Sequence, residues 1–247
     1  MKKILCLFSS LMLVLSSCSS DDTTDEKILL PKTEKYTYAS HPEENNTVTY
    51  SYDGNKIVSL TYDGGDQIIF TYTGDLITKA VYTESYEGET YTQTTTFTYE
   101  NNKLKSSLKV DSGDSSTKRK TYTYNSNGTI SVATFILNLS TQEEEQDWSS
   151  VLTLDSKGNI VKAEFGDSVN IIEYDTKNNP FKGILGYTLL LESEIFDKEA
   201  NTPNNITKII EKSGEVIEGT TTYVNTYNSD NYLTKSVSGD ETFEYTY

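Results

Sequence analysis

The feature that most constrains this chain is a short motif that returns along its length: an aromatic or apolar residue, one residue, a second aromatic or apolar residue, an Asp/Asn/Gly turn, then Ile or Leu. Tyr50-Ser-Tyr52-Asp-Gly-Asn-Lys-Ile57 is followed by Phe70-Thr-Tyr72-Thr-Gly-Asp-Leu76, Phe97-Thr-Tyr99-Glu-Asn-Asn-Lys-Leu104 and Tyr122-Thr-Tyr124-Asn-Ser-Asn-Gly-Thr-Ile130. Leu152 to Ile160, Ile172 to Asn179, Asn225 to Leu233 and a closing Phe243-Glu-Tyr245-Thr-Tyr247 continue the series. The second aromatic or apolar position falls at 52, 72, 99, 124, 154, 174, 227 and 247. The long interval before 227 leaves room for a degenerate unit, and Asn204-Asn205-Ile206 reads as the start of its returning strand.

Each unit reads as a strand, a tight turn and a returning strand. In Tyr91 to Tyr99, strict alternation puts Tyr91, Thr95, Phe97 and Tyr99 on one face and four threonines on the other. Asp-Gly, Asn-Gly and Gly-Asp steps supply the positive φ that hairpin turns need. The four prolines of the chain all fall outside the motifs, as strand pairing demands. The expected fold is all-β: an antiparallel meander of repeated hairpins, roughly 14–18 strands, with at most one short helix. So long a sheet must curl or expose edges that template aggregation, so a strongly curved sheet or barrel-like structure is expected. Roughly a third of the residues are apolar on the usual count, against about 45–50% in an ordinary globular domain. One aromatic face is therefore expected to be covered and one Thr/Lys/Glu face wet.

One stretch breaks the rhythm. Residues 178–194 and then 197–205 lack alternation and hold two of the four prolines. A short helix starting near Pro180, with Ile184, Leu185, Leu189 and Leu190 on its buried side, is predicted to plug one end of the curled sheet. The alternative is that this stretch lines a pocket, with Tyr187 as a ligand contact.

The N-terminus carries an address. Met1-Lys2-Lys3 is a short positive region, Ile4 to Leu15 is largely apolar, and Ser16-Ser17-Cys18 follows. That order is a secretory signal peptide, its apolar part too short to span a bilayer comfortably. The chain divides accordingly into residues 1–17 as signal peptide, 18–30 as acidic tether and 31–247 as β-repeat domain. Cys6 lies in the first of these; the stretch ending in Cys18 resembles a bacterial lipobox, which implies that its thiol is taken by lipid, so none remains for disulfide or thiol chemistry. Removing residues 1–17 takes away two lysines and leaves 19 basic against 37 acidic residues, a charge near -18. A surface of that charge repels phosphates, so nucleic acid is not an expected partner.

Three resemblances follow from these residues. The stretch ending in Cys18 resembles the lipobox of bacterial lipoproteins, which implies that Cys18 carries diacylglycerol and becomes the new N-terminus. Two or three acyl chains anchor a protein durably where one does not. Ser19, Ser20, Asp21 and Asp22 resemble the short acidic export signal of Bacteroidetes lipoproteins, which implies an outer-membrane protein facing the cell exterior. The motif Tyr-x-Tyr-(Asp/Asn)-x-x-Gly-x-Ile, clearest at Tyr122 to Ile130, resembles the YD-repeat (Rhs-type) family. That resemblance implies a β-ribbon spiralling into a hollow shell. With irregular spacing and about eight units, the chain looks more like the short repeat-containing lipoproteins of Bacteroidetes, some of them assigned a porin-like β-fold.

Catalytic constellations are sparse. His41 is the sole histidine, beside Pro42 in a polar stretch, and no second histidine or free cysteine can join it at a metal. No Gly-x-Ser-x-Gly elbow, phosphate loop or dinucleotide fingerprint occurs. No cofactor is expected. Calcium is the one cation whose oxygen ligands are offered, in Asp63-Gly-Gly-Asp66 and Asp111-Ser-Gly-Asp114, although hairpins already require such turns. The acidic run around Glu144 with Trp148 is the candidate for stacking against a sugar ring. The expected function is a lipid-anchored surface module, not an enzyme, that binds a glycan, a partner protein or a host component. The alternative is a carboxylate-dependent hydrolase of extracellular polysaccharide, recognisable by two facing carboxylates in a cleft; a third reading is a small apolar ligand held in the sheet's interior.

Overall fold

In a computed structural model the described residues are 27–191, 194–196 and 200–247. The signal peptide, Cys18 and the acidic residues that follow it lie outside them. Among the described residues the chain forms seventeen strands in one antiparallel sheet. They run β1 (Thr33–Tyr38), β2 (Asn46–Asp53), β3 (Lys56–Tyr62), β4 (Gln67–Thr73), β5 (Leu76–Tyr86) and β6 (Glu89–Glu100). Then come β7 (Lys103–Asp111), β8 (Ser116–Tyr124), β9 (Thr129–Asn138), β10 (Glu144–Leu154), β11 (Ile160–Phe165) and β12 (Ser168–Tyr174). After the long segment that breaks the repeat come β13 (Ile206–Ser213), β14 (Val216–Thr222), β15 (Val224–Tyr227), β16 (Leu233–Ser238) and β17 (Glu241–Thr246).

Each strand pairs with its sequence neighbour, and β1 slots between β17 and β2, so the meander bends round on itself into a nearly closed barrel. The exception to neighbour pairing is at β14 and β15, which follow one another with only Tyr223 between them. β14 ladders with β13 and β15 with β16, so this extended run hands over from one side of the ring to the other.

The repeat motif explains itself in this ring. Its second aromatic or apolar residue sits at a β-bulge: the register slips at Tyr52, Tyr72, Tyr99, Leu154, Tyr174 and Tyr227. A bulge leaves a backbone group without its ladder partner. The tyrosine hydroxyl of the next unit reaches that place. Tyr99 donates to the Ile77 carbonyl at 2.7 Å, Tyr174 to Ile160 at 2.8 Å and Tyr247 to Leu233 at 2.6 Å, while the Ile57 N–H donates to the Tyr72 hydroxyl at 3.2 Å. An Ile or Leu after the turn is the buried partner of this stitch: Ile57, Leu104 and, one place beyond Leu76, Ile77 are wholly inaccessible. Burial pushes these hydroxyls up, Tyr72 to about 12 and Tyr99 and Tyr247 further.

All the motif turns therefore lie at one end of the barrel. The first described residues lie there too, because Thr33 pairs with Thr246 at the start of β1. So does the junction from β12 to β13, from which the irregular segment enters the ring. The outer face is largely polar but not wholly so: β2 presents Thr47, Thr49 and Ser51 and β6 its four threonines, while Ile69 of β4 and Val110 of β7 are exposed there as well. Hydroxyl pairs such as Ser51 with Ser59 at 2.8 Å, and ion pairs such as Lys208 with Glu173 at 3.1 Å, span neighbouring strands there.

The inner face is filled by the irregular segment. Phe181, Ile184, Tyr187, Leu190 and Phe196 join Val48, Tyr50, Phe70, Phe97 and Leu152 in one buried cluster. Phe181 is its hub, with ring centroids 5.5 Å from Tyr50, 5.5 Å from Tyr187 and 6.0 Å from Tyr245. The predicted plug is present, but the predicted helix from Pro180 is not. Residues 181–186 are turns, followed by 3-10 helices at Tyr187–Leu190 and Glu194–Phe196. Two glycines explain this. Gly186 adopts φ +79°, which no helix tolerates, and its position leaves a Cβ 3.0 Å from the Asp75 carbonyl oxygen. At Gly183 a Cβ would lie 2.6 Å from Ile28. Ile184 and Leu190 are buried as expected, whereas Leu185 and Leu189 are only half-buried.

Three consequences can be measured. Tyr99→Phe and Tyr174→Phe each lose one hydrogen bond of about 1 kcal/mol, seen as a melting temperature lowered by about 2–4 °C, and the losses add because the sites are in separate repeats. Gly54→Ala, at φ +58° in open space, costs about 1–2 kcal/mol in urea unfolding, and Gly186→Ala costs more because backbone atoms stand in the way. The stitching hydroxyls must stay protonated, with folded pKa values raised above the ordinary 10.0. Their contribution is complete below about pH 10 and is lost as pH rises through the folded values, so stability falls on the alkaline side and phenolate absorbance appears late.

Candidate ligand-binding site

The plug occupies the motif-turn end and leaves the other end of the barrel open. There β5 and β6, of 11 and 12 residues, extend the wall. Inside that wall is a cavity of about 370 Å³, within the usual range for small-molecule sites. Its floor is apolar, made by Ile68, Phe97 and Ile195, the last contributed by the plug. Above the floor the two sides differ in charge.

On the β3–β6 side stand Tyr62, Asp66, Tyr82 and Gln93. The Tyr82 hydroxyl donates to Glu84 at 2.7 Å and lies 3.2 Å from Asp66, and burial together with these two carboxylates pushes its pKa up. Gln93 donates to Asp111 at 2.6 Å. On the β7–β8 side stand Ser107 and three lysines, Lys109, Lys118 and Lys120, with Tyr122 below them. Lys109 faces Lys118 directly across the β7–β8 ladder. Lys120 is buried, with its ammonium 5.4 Å from the centre of the Trp148 ring. Beside Lys120, the hydroxyls of Thr134 and Ser150 are buried without a hydrogen-bond partner among the described residues. The arrangement offers cations, amide and hydroxyl donors and aromatic faces within one hollow, which is recognition chemistry.

The three residues expected from the sequence to contact a ligand go to three places. Trp148 lies on the inner wall next to Lys120, its ring 5.9 Å from Phe165. Glu144 lies on the outer face of β10, in a two-pronged ion pair with Arg119 at 2.6 and 2.8 Å that holds its carboxyl below the usual range. Tyr187 is wholly inaccessible in the plug, packed on Phe181 and Phe196. The structure thus brings none of the three together. What separates Trp148 from Glu144 is a bulge at Asp147, which flips the alternation between Gln146 and Trp148. The lysines carry the signal that sequence reading passed over: Lys118 and Lys120 alternate on β8 and so share a face, in a chain where acids outnumber bases.

The carboxylates considered for calcium or hydrolysis are placed as follows. Asp63 accepts from the Thr47 N–H at 3.1 Å, while Asp66 and Asp111 are engaged as above. His41, Glu43 and Glu44 are close together but fully exposed. A second hollow, of about 250 Å³, contains Glu34 and Glu241. Glu34 accepts from Tyr50 at 2.8 Å, and Glu241 is in register with Tyr38, four residues further along β1; at a strand rise of about 3.3 Å that places their Cα atoms about 13 Å apart.

No family model matches the chain, and no curated protein sequence does. Among solved structures it is similar to a porin-like protein from Bacteroides vulgatus, with a TM-score of 0.53 and 14% identity over 89% of this chain and 99% of that one. A porin-like protein from Bacteroides uniformis is similar at TM-score 0.46 and 16% identity, over 87% and 96%. The likeness is one of fold. The chain shares an all-β barrel with porin-like proteins of Bacteroides, and in this chain the barrel is filled at one end and open at the other.

The inward position of Trp148 has a direct check. As the sole tryptophan, it reports alone in fluorescence. Phe165→Ala removes its shield and shifts its emission to the red, whereas Glu144→Gln, four residues away on the opposite face, leaves the spectrum unchanged.

Proposed function

We propose that this protein is a lipid-anchored outer-membrane lipoprotein of the Bacteroidetes repeat-containing type, displayed on the cell exterior, which binds the end of a saccharide chain in the mouth of its barrel. The observation that carries this reading is polarity along the barrel axis. The chain enters at the motif-turn end, where the acidic tether after Cys18 would join, and the cavity opens at the opposite end. A tether of about ten residues leaves the motif-turn end near the membrane and turns the cavity outward.

The exterior supports a tethered barrel over a membrane-spanning one. A spanning barrel needs an apolar outer band about 25 Å tall, whereas here threonines, serines and ion pairs are interspersed with the outward Ile69 and Val110. The interior is likewise the reverse of a water-filled channel, with apolar side chains meeting an apolar plug. Binding is preferred to hydrolysis because the carboxylates at the cavity already serve Tyr82 and Gln93, and Glu34 and Glu241 are set far apart.

Protease treatment of intact cells tests the location: the native protein is removed, Asp21→Ala/Asp22→Ala is protected, and Cys18→Ala is no longer found with the membrane. Protection of the native protein on intact cells would refute surface display. A saccharide array probed with the full chain tests the site, with signal expected to fall at least ten-fold in Tyr82→Ala and to persist in Glu144→Gln. Equal loss in both variants would contradict a ligand in the mouth.

A further inference from the structure

We infer that the saccharide taken by the cavity is acidic, its carboxylate held between Lys109 and Lys118; this rests on the reading of the mouth as the ligand site. The two ammonium-bearing side chains are directly opposed on neighbouring strands and point to the same interior, with Lys120 next along β8 on that face. Like charges directly opposite across a ladder destabilise a sheet. A chain with 37 acidic and 21 basic residues had no need to gather three lysines here.

On the outer face the same chain treats lysines differently. Lys105, Lys162, Lys208 and Lys235 each pair with a glutamate at 2.7–3.4 Å. Lys109 and Lys118 have no hydrogen-bond or ion-pair partner among the described residues. The acids at the rim are turned to other work: Glu84 and Asp66 by the Tyr82 hydroxyl, Asp111 by Gln93. Glu145 stands two strands from Lys118, beyond Ile136, and is exposed.

A half-enclosed pair of cations with no carboxylate in ion-pair contact among the described residues favours an anion, and a forked carboxylate can accept from both. The remainder of the hollow suits hydroxyl groups and a ring. Tyr62, Tyr82 and Tyr122 offer faces and edges, and Gln93 and Asp66 offer hydrogen bonds. At about 370 Å³ the space takes the end of a saccharide rather than a run of it.

The test titrates the full chain with glucuronate, galacturonate and N-acetylneuraminate beside glucose, galactose and N-acetylmannosamine, and with inorganic phosphate. Trp148 fluorescence, sensitive to movement of Lys120 above it, is read together with calorimetry. At least one acid is expected to bind ten-fold or more tightly than its neutral parent, and to weaken with added salt. Lys109→Met and Lys118→Met are each expected to weaken that acid about ten-fold while melting at or above the native temperature, since repulsion is relieved.

Acids and neutral parents binding alike, or lysine variants that bind as the native protein does, would overturn the inference. If that common binding is lost in Tyr82→Ala, the mouth stands as the ligand site and the acidic preference alone falls. Phosphate binding as tightly as the best acid would overturn the saccharide part. No binding by any member of the panel would overturn the inference, and the mouth itself would then be judged by the array.

Discussion

A ring of seventeen strands is too wide to be filled by its own side chains. Barrels of about eight strands can do that, whereas those of sixteen to eighteen leave a channel. This chain spends its inward residues on aromatic and aliphatic groups, which cannot be left lining water. The segment between β12 and β13 meets the constraint by folding back inside, placing Phe181 among Tyr50, Tyr187, Phe196 and Tyr245. Without Phe181 and its neighbours the inner faces of β2, β4 and β17, which lie on one wall of the ring, would line a void. The stitching tyrosines hold the ring, but the plug makes it a folded domain.

The plug also creates the site. It enters from the motif-turn end and fills that end, so what remains of the interior is a shallow hollow floored by Phe97 and Ile195. The walls change character at the same level. Below it the inward positions are Ile57, Ile77, Leu104 and Ile130; above it they become Gln93, Lys109, Lys118 and Lys120. A strand such as β7 is therefore core at one end and binding surface at the other. The likeness to porin-like folds reflects the ring, while the placement of polar and apolar residues decides what the ring does. Here threonines and ion pairs predominate on the outer wall, and the inward lysines gather at the mouth.

Much of this architecture is legible in the sequence because the repeat carries it. Alternation from Tyr91 to Tyr99 assigns both faces of β6, and the Asp-Gly and Asn-Gly steps mark the hairpins. The degenerate unit at Ile206 does begin a strand. The role of the second tyrosine in the motif is less visible, since its hydroxyl partner belongs to the neighbouring unit and appears only once the strands are in register. The plug is announced by lost alternation, yet its conformation turns on Gly183 and Gly186, which are held open by residues 28 and 75, far away in sequence. The site is the least legible part. Trp148 faces inward because of one extra residue in β10, and Lys109 meets Lys118 only because the β7–β8 hairpin pairs them so.

In the reading we propose, the barrel is filled by its own chain, its wall is in water, and it is held to a membrane by its lipid alone. The most direct measurement is the fate of the full chain carrying Cys18→Ala after cell breakage without detergent. The account predicts a folded, monomeric protein in the aqueous fraction, with the alternating strands intact by circular dichroism. Retention in the membrane, with detergent needed to release it, would contradict the account and mark the barrel wall itself as the membrane-contacting surface.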